Sequence, residues 1–389
     1  MSLGKSLIPE FNLPSDIYVR QDIVPEIPGI VAQYGTRVLM ISTKNDTELH
    51  HKIIGQISLN LKKAGIGCIV FDNIPPNPNT EDVDEVVIFA KKTNCNIIVA
   101  LGGNEAVNVA RAVSILISNY LFCDSLFGNP ALPNANLPLI IIPTRPLYGF
   151  EIVPIFHLHD LIQKKHDIFS NKNLFPMAAI IDPNLSKFTP HDFFLRSVFA
   201  SLAISIESLI SQSNNDLSNT FALKSVDFIF KNLADYHNNP DNLNVRQQLE
   251  TASVMSGIAF SVSIYSTSLA IALALTSIYK IDIELIINII ISHVMEYNLS
   301  SSTGKYVQIA KVMGENCRDL TVIEAAIKAV EGMRKTQNEY GLVQKLSEFE
   351  INKNDFKPIA KIASTYNIND NSPKALNAGE IEAILASAY

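Results

Sequence analysis

Residues 95–105 have the sequence Cys95-Asn96-Ile97-Ile98-Val99-Ala100-Leu101-Gly102-Gly103-Asn104-Glu105. The continuous apolar run predicts a buried β-strand, and the two glycines predict a tight turn into a following helix. Such a turn can hold a phosphate, because the bare backbone comes close to the anion and the helix N-terminus favours negative charge. A strand followed by two glycines is more often only a tight turn, so the rest of the chain decides between the two interpretations.

Strand and helix patterns alternate on both sides of this stretch. Towards the N-terminus, Val38-Leu39-Met40-Ile41-Ser42 predicts a buried strand, a helix follows to about Ala64, and Cys68-Ile69-Val70-Phe71 predicts a second strand. On the other side lies the strand-rich segment 137–182. Short strands that alternate with helices are typical of a parallel sheet covered by helices. We therefore expect an α/β domain in residues 1–187.

The pattern becomes helical after Pro190. Apolar residues recur at helical spacing in two segments. These are Leu202, Ile206, Leu209 and Ile210, and further on Ile323, Ala326, Ile327 and Val330. The Asn-rich segment 236–242 predicts a turn between helices. We expect an all-helical second domain in residues 188–389.

Composition sets limits on partners and compartment. A chain of 389 residues that is 47% hydrophobic has ample apolar material for two domains. Its formal net charge of −7 supplies no positive field for phosphate backbones, so we expect no nucleic-acid partner. The cysteines are widely separated and predict reduced thiols in a cytoplasmic protein, with Cys68 and Cys95 in buried strands. The four are Cys68, Cys95, Cys123 and Cys317. No apolar signal-peptide segment is apparent near Lys5 and Glu10.

One apolar stretch resembles a membrane helix. No charged residue occurs between Thr251 and Tyr279, and a hydropathy window would select this segment. It is nevertheless rich in serine and threonine, for example Ser253, Ser256 and Thr267. We therefore expect no membrane partner.

Further motifs follow in a fixed order. They are Ile142-Pro143-Thr144-Arg145, Ile181-Asp182-Pro183, His293-Val294-Met295-Glu296-Tyr297-Asn298, Met313-Gly314-Glu315-Asn316 and the terminal Asn377-Ala378-Gly379-Glu380-Ile381-Glu382. Together with the strands above, this set resembles the iron-containing (group III) alcohol dehydrogenase family over nearly the whole chain. The resemblance implies a Rossmann-like dinucleotide-binding domain, an all-α domain of the dehydroquinate synthase-like architecture, a deep cleft between them, and a homodimer.

The resemblance also implies the positions that would contact a dinucleotide. They are Thr43, Gly102, Gly103, Asn104, Glu105, Thr144, Arg145 and Tyr148. In the family the first loop has three glycines and a serine, so Asn104 and Glu105 are departures from the pattern. Leu147, Tyr148 and Phe150 add bulk to a second loop that is small in the family. Thr43 replaces an aspartate that accepts hydrogen bonds from ribose, which removes a preference for NAD and leaves space for a 2′-phosphate.

Glu105 has two possible roles. A carboxylate in the first turn of a helix is favoured by the helix dipole, and it would repel an incoming pyrophosphate at the same place. It could equally point outward as a helix-start charge. Arg145 could restore a positive charge for some anion. The sequence therefore predicts no cofactor firmly and leaves weak NADP(H) binding possible.

The family's metal site is absent from the sequence. In the family a helix carries Asp and His four residues apart, and two later histidines complete the site. Ala200, Ile204, Leu269 and Ile283 stand at these positions, and their alkyl side chains cannot coordinate a metal. Between Arg196 and Ser292 the only histidine is His237, so no shift of the alignment restores the ligands. We expect no iron or zinc and no metal-dependent alcohol dehydrogenase activity.

Other interpretations stay open. The protein could be a metal-independent NADP(H) oxidoreductase in which Tyr148 or Tyr265 supplies the proton. It could also be a non-catalytic ligand-binding or scaffold protein with a small molecule in its cleft. His157 and His159 share one face of a predicted strand, which allows a two-histidine metal site, although a solvated hairpin face is the simpler interpretation. His293 is expected to pack and cap a helix rather than to catalyse.

Overall fold

The computed structural model describes residues 11–44 and 48–389, and its centre is a six-stranded parallel sheet. The strand order is β1-β8-β5-β4-β2-β3. The strands are β1 (Asp16–Val19), β2 (Arg37–Thr43), β3 (Gly67–Ile74), β4 (Ile97–Gly102), β5 (Leu139–Pro143) and β8 (Ala178–Ile181). Two more strands, β6 (Ile155–Asp160) and β7 (Lys165–Ser170), form a separate antiparallel hairpin. The predicted α/β fold is confirmed.

Alternate residues of the central strands supply the two faces of the sheet. All six residues of β4 are buried, as expected for a strand that is covered on both sides. Ile97, Val99 and Leu101 pack under α1 (Ile27–Val31) and α2 (Glu48–Lys63). Ile98 and Ala100 belong to the other core, with α3 (Thr80–Thr93) and α4 (Asn104–Asn119). The apolar run 97–101 is continuous because both faces of the strand are buried.

The chain after β8 is helical among the residues described. Its helices are α5 (Pro183–Ser186), α6 (His191–Ile210), α7 (Asp216–Asn238), α8 (Leu243–Ser263), α9 (Thr267–Thr276), α10 (Ile283–Asn298), α11 (Thr303–Val312), α12 (Val322–Glu339), α13 (Phe356–Ala363) and α14 (Ala378–Ser387). The predicted Asn-rich turn is shorter than expected, since α7 continues to Asn238 and α8 begins at Leu243. His237 lies in the last turn of α7.

Buried hydroxyls explain how such apolar helices keep their serines. In α6 the Ser201 hydroxyl donates to the Ser197 carbonyl over 3.0 Å, and Ser205 donates to the Ser201 carbonyl over 2.8 Å. Burying a hydroxyl that donates to a carbonyl of its own helix costs little free energy, because the hydroxyl keeps a hydrogen bond. These helices can therefore sit inside the bundle.

Two stretches are apolar enough to span a membrane by composition. α6 passes that test, but 89% of its apolar window is buried inside the fold. The uncharged stretch 251–279 spans α8 and α9, which meet at a bend of 98° and are buried for most of their length. Core packing accounts for the apolarity of both stretches.

The thiols and the hairpin histidines depart from expectation in detail. All four cysteines are free, but Cys68 is only half-buried and Cys95 precedes β4 instead of lying within a strand. The expectation that this hairpin face is solvated is wrong for His157. Its side chain is 5% exposed, because β6 packs against α4. His293 lies inside α10, where its Nδ1 shares a hydrogen bond with the Ser387 hydroxyl of α14. It packs two helices together and does not cap one.

Candidate functional site

A cleft opens at the carboxyl ends of the central strands. β2 lies between β3 and β4 in the sheet. The connection from β2 leads to β3 on one side, and the connection from β3 returns past β2 to β4 on the other, so the strand order reverses direction at β2. Ligands of open parallel sheets bind at such a switch point. The cavity there has a volume of ≈ 270 Å³. Its lining consists of Thr43, Lys44, Pro76, Asn77, Pro78, Asn104, Glu105, Asn108, Tyr148, His157, His166, Phe193, Asp282, Ile283 and Glu284.

Arg145 crosses this cleft from the sheet to the helices. It follows β5, and its guanidinium donates to Glu284 Oε1 over 2.6 Å and to the Ser197 hydroxyl over 3.1 Å. The Phe193 ring centroid lies 4.4 Å from the guanidinium carbon. Burial alone would raise the pKa of Glu284, but the charge and hydrogen bonds of Arg145 outweigh it and lower that pKa. The pair is therefore ionised and closes part of the cleft.

Glu105 folds back over the glycine turn. A Cβ placed on Gly103 would lie only 2.5 Å from Glu105 Oε2, and 3.2 Å from a terminal guanidinium nitrogen of Arg145. Glu105 and Arg145 themselves are 3.8 Å apart. Burial raises the pKa of Glu105, while Arg145 and a hydrogen bond from its own backbone N–H act against that rise. The structure thus has the Glu105 carboxylate over the glycine turn, with 26% of the side chain exposed.

Asn104 carries an unpaired acceptor beside this pair. Its side-chain amide donates to the Tyr148 hydroxyl over 2.8 Å and to Glu284 Oε1 over 3.3 Å. Both amide hydrogens are thereby used, and Asn104 Oδ1 has no hydrogen-bond partner within the described parts of the chain. Asn104 is 5% exposed and lines the cavity. A buried acceptor of this kind is costly unless a ligand or water satisfies it.

His157 carries an unpaired donor. Asn108 Oδ1 accepts from the His157 backbone N–H, so its amide nitrogen must be the donor to His157 Nε2, 3.4 Å away. The neutral ring then carries its hydrogen on Nδ1, and Nδ1 has no partner within the described residues. Burial lowers the pKa of His157 to about 4, so the ring is uncharged at neutral pH. Burial also lowers the pKa of His166, whose ring contacts that of His157.

The remaining predicted contact residues lie around the same cleft. Thr43 ends β2 and lines both the cavity and a neighbouring one of ≈ 320 Å³, which Gly103, Thr144 and Arg145 also line. Gly102 has φ +144°, and a Cβ there would lie 3.4 Å from that of Ala106. The eight positions named from the sequence are thus neighbours in space.

The four alkyl positions lie on three helices of the bundle. Ala200 and Ile204 are completely buried in α6, and Leu269 is 1% exposed in α9. Ile283 opens α10 and lines the cavity that His157 also lines. Leu269 borders a small closed void that His157 borders as well. Leu269 and Ile283 therefore each share a cavity lining with His157.

Two family models match the chain in sequence order. The model "Iron-containing alcohol dehydrogenase" matches residues 14–183. The model "Fe-containing alcohol dehydrogenase family, C-terminal" matches residues 198–389. The chain belongs to the iron-containing alcohol dehydrogenase family. The expectation drawn from the ordered motifs is confirmed.

Relatives match over almost their full length. NAD-dependent methanol dehydrogenase of Bacillus methanolicus is 23% identical over 366 residues, which cover 92% of this chain and 96% of that protein. For 1,3-propanediol dehydrogenase of Citrobacter freundii the identity is 26% over 356 residues, which cover 91% and 92%. The solved alcohol dehydrogenase of Oenococcus oeni is similar with a TM-score of 0.93 at 21% identity, over 97% of this chain and 99% of that one. The whole fold is shared, while the side chains have diverged.

The metal that the family name implies does not fit the residues present. A divalent ion needs oxygen, nitrogen or sulfur donors, and the predicted ligand positions carry only alkyl groups. Within residues 11–44 and 48–389, no group of three or more His, Cys, Asp or Glu side chains is arranged to hold a metal. This includes the hairpin, where His159 and His166 face each other across the two strands. The two-histidine site considered from the sequence gains no third ligand.

A nicotinamide dinucleotide fits the cleft poorly for a different reason. The backbone turn at Gly102 and Gly103 is present, but the space above Gly103 holds the Glu105 carboxylate and the Arg145 guanidinium. Arg145 is already paired with Glu284 through one terminal nitrogen, so part of its charge is balanced before any phosphate arrives. The backbone of the turn is therefore suited to a pyrophosphate, whereas the side chains around it are not.

Sequence reasoning missed Glu284 and His166. Glu284 follows Asp282 and Ile283 at the start of an apolar helix, and a carboxylate within this apolar pattern was a signal that a buried cation would face it. His166 gave no such signal, because only the register of the hairpin places it against His157 and His159. Tyr265, by contrast, is fully buried, accepts from Asn298 and Thr267, and does not line either cavity named above.

Proposed function

We propose that this family member has no metal-dependent alcohol dehydrogenase activity and uses its cleft to bind a small uncharged polar molecule. The observation that carries the proposal is the side-chain chemistry at Ala200, Ile204, Leu269 and Ile283, which offers no donor to a metal. Metal in such a site would polarise the oxygen of an alcohol or aldehyde during hydride transfer. Without donors at these positions, that step has no support from the chain.

The class of ligand follows from the unpaired groups of the cavity. Asn104 Oδ1 is an acceptor without a donor, and His157 Nδ1–H is a donor without an acceptor within the described residues. Both residues line the cavity, and a ligand with hydroxyl or carboxamide groups carries the donors and acceptors that these two residues lack. Glu105, Asp282 and Glu284 outnumber Lys44 in the lining of the same cavity and would repel an anion. These features favour an uncharged ligand.

The alternative of a metal-free NADP(H) oxidoreductase depends on Tyr148. Tyr265 does not line either cleft cavity, whereas Tyr148 lines the cavity of ≈ 270 Å³ beside Asn104. Burial raises the pKa of Tyr148 well above its ordinary value, and the nearby Glu284 carboxylate adds to the rise. A phenol held in this way keeps its proton strongly, which is unfavourable for a proton donor. The binding function is the better supported one.

The metal half of the proposal is tested by restoring the donors. The variant carrying Ala200→Asp, Ile204→His, Leu269→His and Ile283→His should bind about one iron or zinc ion per chain and gain thermal stability on adding metal, because three imidazoles and a carboxylate form a complete site. Wild type should retain no stoichiometric metal by elemental analysis. A matched control carries three of the changes and keeps Leu269. It should bind metal more weakly than the complete variant.

Two outcomes would contradict the proposal. Wild type with about one tightly bound metal per chain, and with metal-dependent oxidation of methanol or 1,3-propanediol, would restore the enzyme function of the family. In the same thermal-shift assay, uncharged 1,3-propanediol is compared with its dicarboxylate analogue malonate. Stabilisation by malonate alone would show that the cavity selects anions.

A further inference from the structure

The turn between β4 and α4 is the part of the cleft where a dinucleotide would place its negative charge. The first backbone N–H groups of a helix have no partner within the helix, and they attract anions together with the helix dipole. α4 begins directly after Gly103, and no side chain caps it at the Gly103 position. The anion site of the fold is therefore preserved in the backbone.

The anion at this turn comes from the chain itself. Glu105 Oε2 would lie 2.5 Å from a Cβ on Gly103, so the carboxylate occupies the space directly above that glycine. The Arg145 guanidinium lies 3.8 Å away, and both that charge and the Glu105 backbone N–H favour the ionised carboxylate by lowering its pKa against the effect of burial. The carboxylate thus has the two partners that a bound phosphate would have, a helix amide and a cation.

Arg145 cannot leave this arrangement without breaking others. Besides Glu105, its guanidinium contacts Glu284, the Ser197 hydroxyl and the Phe193 ring, and the residue is 4% exposed. A phosphate that approached Gly103 would meet Glu105 at close range, and it would compete with Glu105 and Glu284 for the charge of Arg145. Charge repulsion and occupied space therefore act in the same direction.

We propose that Glu105 is an internal anion that occupies the phosphate-binding turn, so that pyrophosphate groups must displace it before they can bind. The proposal goes beyond the loss of the metal, since it concerns a different part of the cleft and is tested with no metal or alcohol present. It predicts that the backbone of the turn can still bind phosphate and that the Glu105 side chain prevents this binding.

The test is calorimetric titration of inorganic pyrophosphate, NADH and NADPH at pH 8. Wild type should bind each more weakly than about 1 mM, and Glu105→Gln and Glu105→Ser should tighten binding by about tenfold or more, because a like charge at close range is removed. Glu105→Ser should gain at least as much as Glu105→Gln, since it also clears the space above Gly103. The control Glu339→Gln removes the same charge from an exposed position on α12 and should leave the affinities unchanged.

Micromolar affinity of wild type for any of the three probes overturns the proposal. So does a folded Glu105→Ser protein that binds them as weakly as wild type does. Circular dichroism and melting curves establish whether each variant is folded. If both Glu105 variants fail to fold, the wild-type protein decides alone: a rise of its melting temperature in millimolar pyrophosphate contradicts the proposal, and an unchanged value supports it.

Discussion

At the residue scale, the absence of side chains at Gly149 and Gly257 lets the loop after β5 approach α8 closely. Gly149 has φ +93°, and a Cβ there would lie 2.2 Å from Gly257 Cα in α8. Its backbone N–H also donates to the Ser253 hydroxyl over 3.2 Å. Backbone packing thus explains the glycine at position 149, independently of any cofactor.

Gly149→Ala should destabilise the protein by about 2–4 kcal/mol, because it adds both a steric clash and an unfavourable φ. Gly65→Ala is a matched control, since Gly65 has φ +77° with no atom within 4 Å of the added Cβ. The control should lose about 1 kcal/mol from φ alone. Urea unfolding measures both, and equal losses for the two variants would show that the contact with Gly257 is unimportant.

At the element scale, α9 depends on a carboxyl group from another helix. Every residue from Thr267 to Leu275 is buried, so the helix start cannot be solvated. Glu207 of α6 accepts hydrogen bonds from the Ser266 hydroxyl over 2.6 Å and from the Ser268 N–H over 2.9 Å. Burial raises the pKa of Glu207 to about 7, although these hydrogen bonds oppose the rise. Folding therefore takes up a proton at this residue above the ordinary pKa of a glutamate.

This proton uptake predicts a pH dependence of stability. Below about pH 4.5 Glu207 is protonated in both states, and as the pH rises towards 7 the unfolded chain loses the proton while the folded chain keeps it. Stability should fall over this window, by roughly 3 kcal/mol from a shift of the pKa from 4.5 to about 7, and then level off. In Glu207→Gln this part of the fall in stability should be absent, because glutamine mimics the protonated form and does not titrate. Urea unfolding at several pH values measures it.

Buried Glu151 and Glu250, whose pKa values burial raises to about 7 and about 8, contribute in the same direction to wild type and variant alike. The difference between the two proteins therefore isolates Glu207. The exposed Glu339→Gln serves as a charge-matched control. An unchanged pH profile in Glu207→Gln would refute the assignment.

At the scale of the whole molecule, the sheet and the helical bundle are joined by a buried ion pair. Arg145 and Glu284 are 139 residues apart in the chain and 2.6 Å apart in space. Removing one partner of a buried pair leaves the other charge without compensation, whereas removing both can cost much less. The pair should thus act as one unit in the stability of the interdomain contact.

Arg145→Met and Glu284→Gln should each cost about 3–5 kcal/mol in urea unfolding, while the double variant should cost clearly less than their sum. The coupling energy from this double-mutant cycle should exceed about 2 kcal/mol. The exposed pair of Lys328 and Glu331 on α12 is the matched control, and its cycle should show little coupling. Additive losses at Arg145 and Glu284 would mean that the pair does not join the two parts.

The sequence by itself determined what depends on local pattern and on side-chain chemistry. The apolar run before Gly102 predicts a strand buried on both faces, the spacing after Pro190 predicts helices, and the alkyl groups of Ile204 and Leu269 cannot be metal donors in any conformation. The tertiary structure decided what depends on contacts between distant residues. Whether Glu105 faces outward or covers Gly103 follows from the position of Arg145, and the site of Arg145 follows from Glu284 on α10. No local period encodes such a pairing, because only packing of the sheet against the bundle brings these charges within reach of each other.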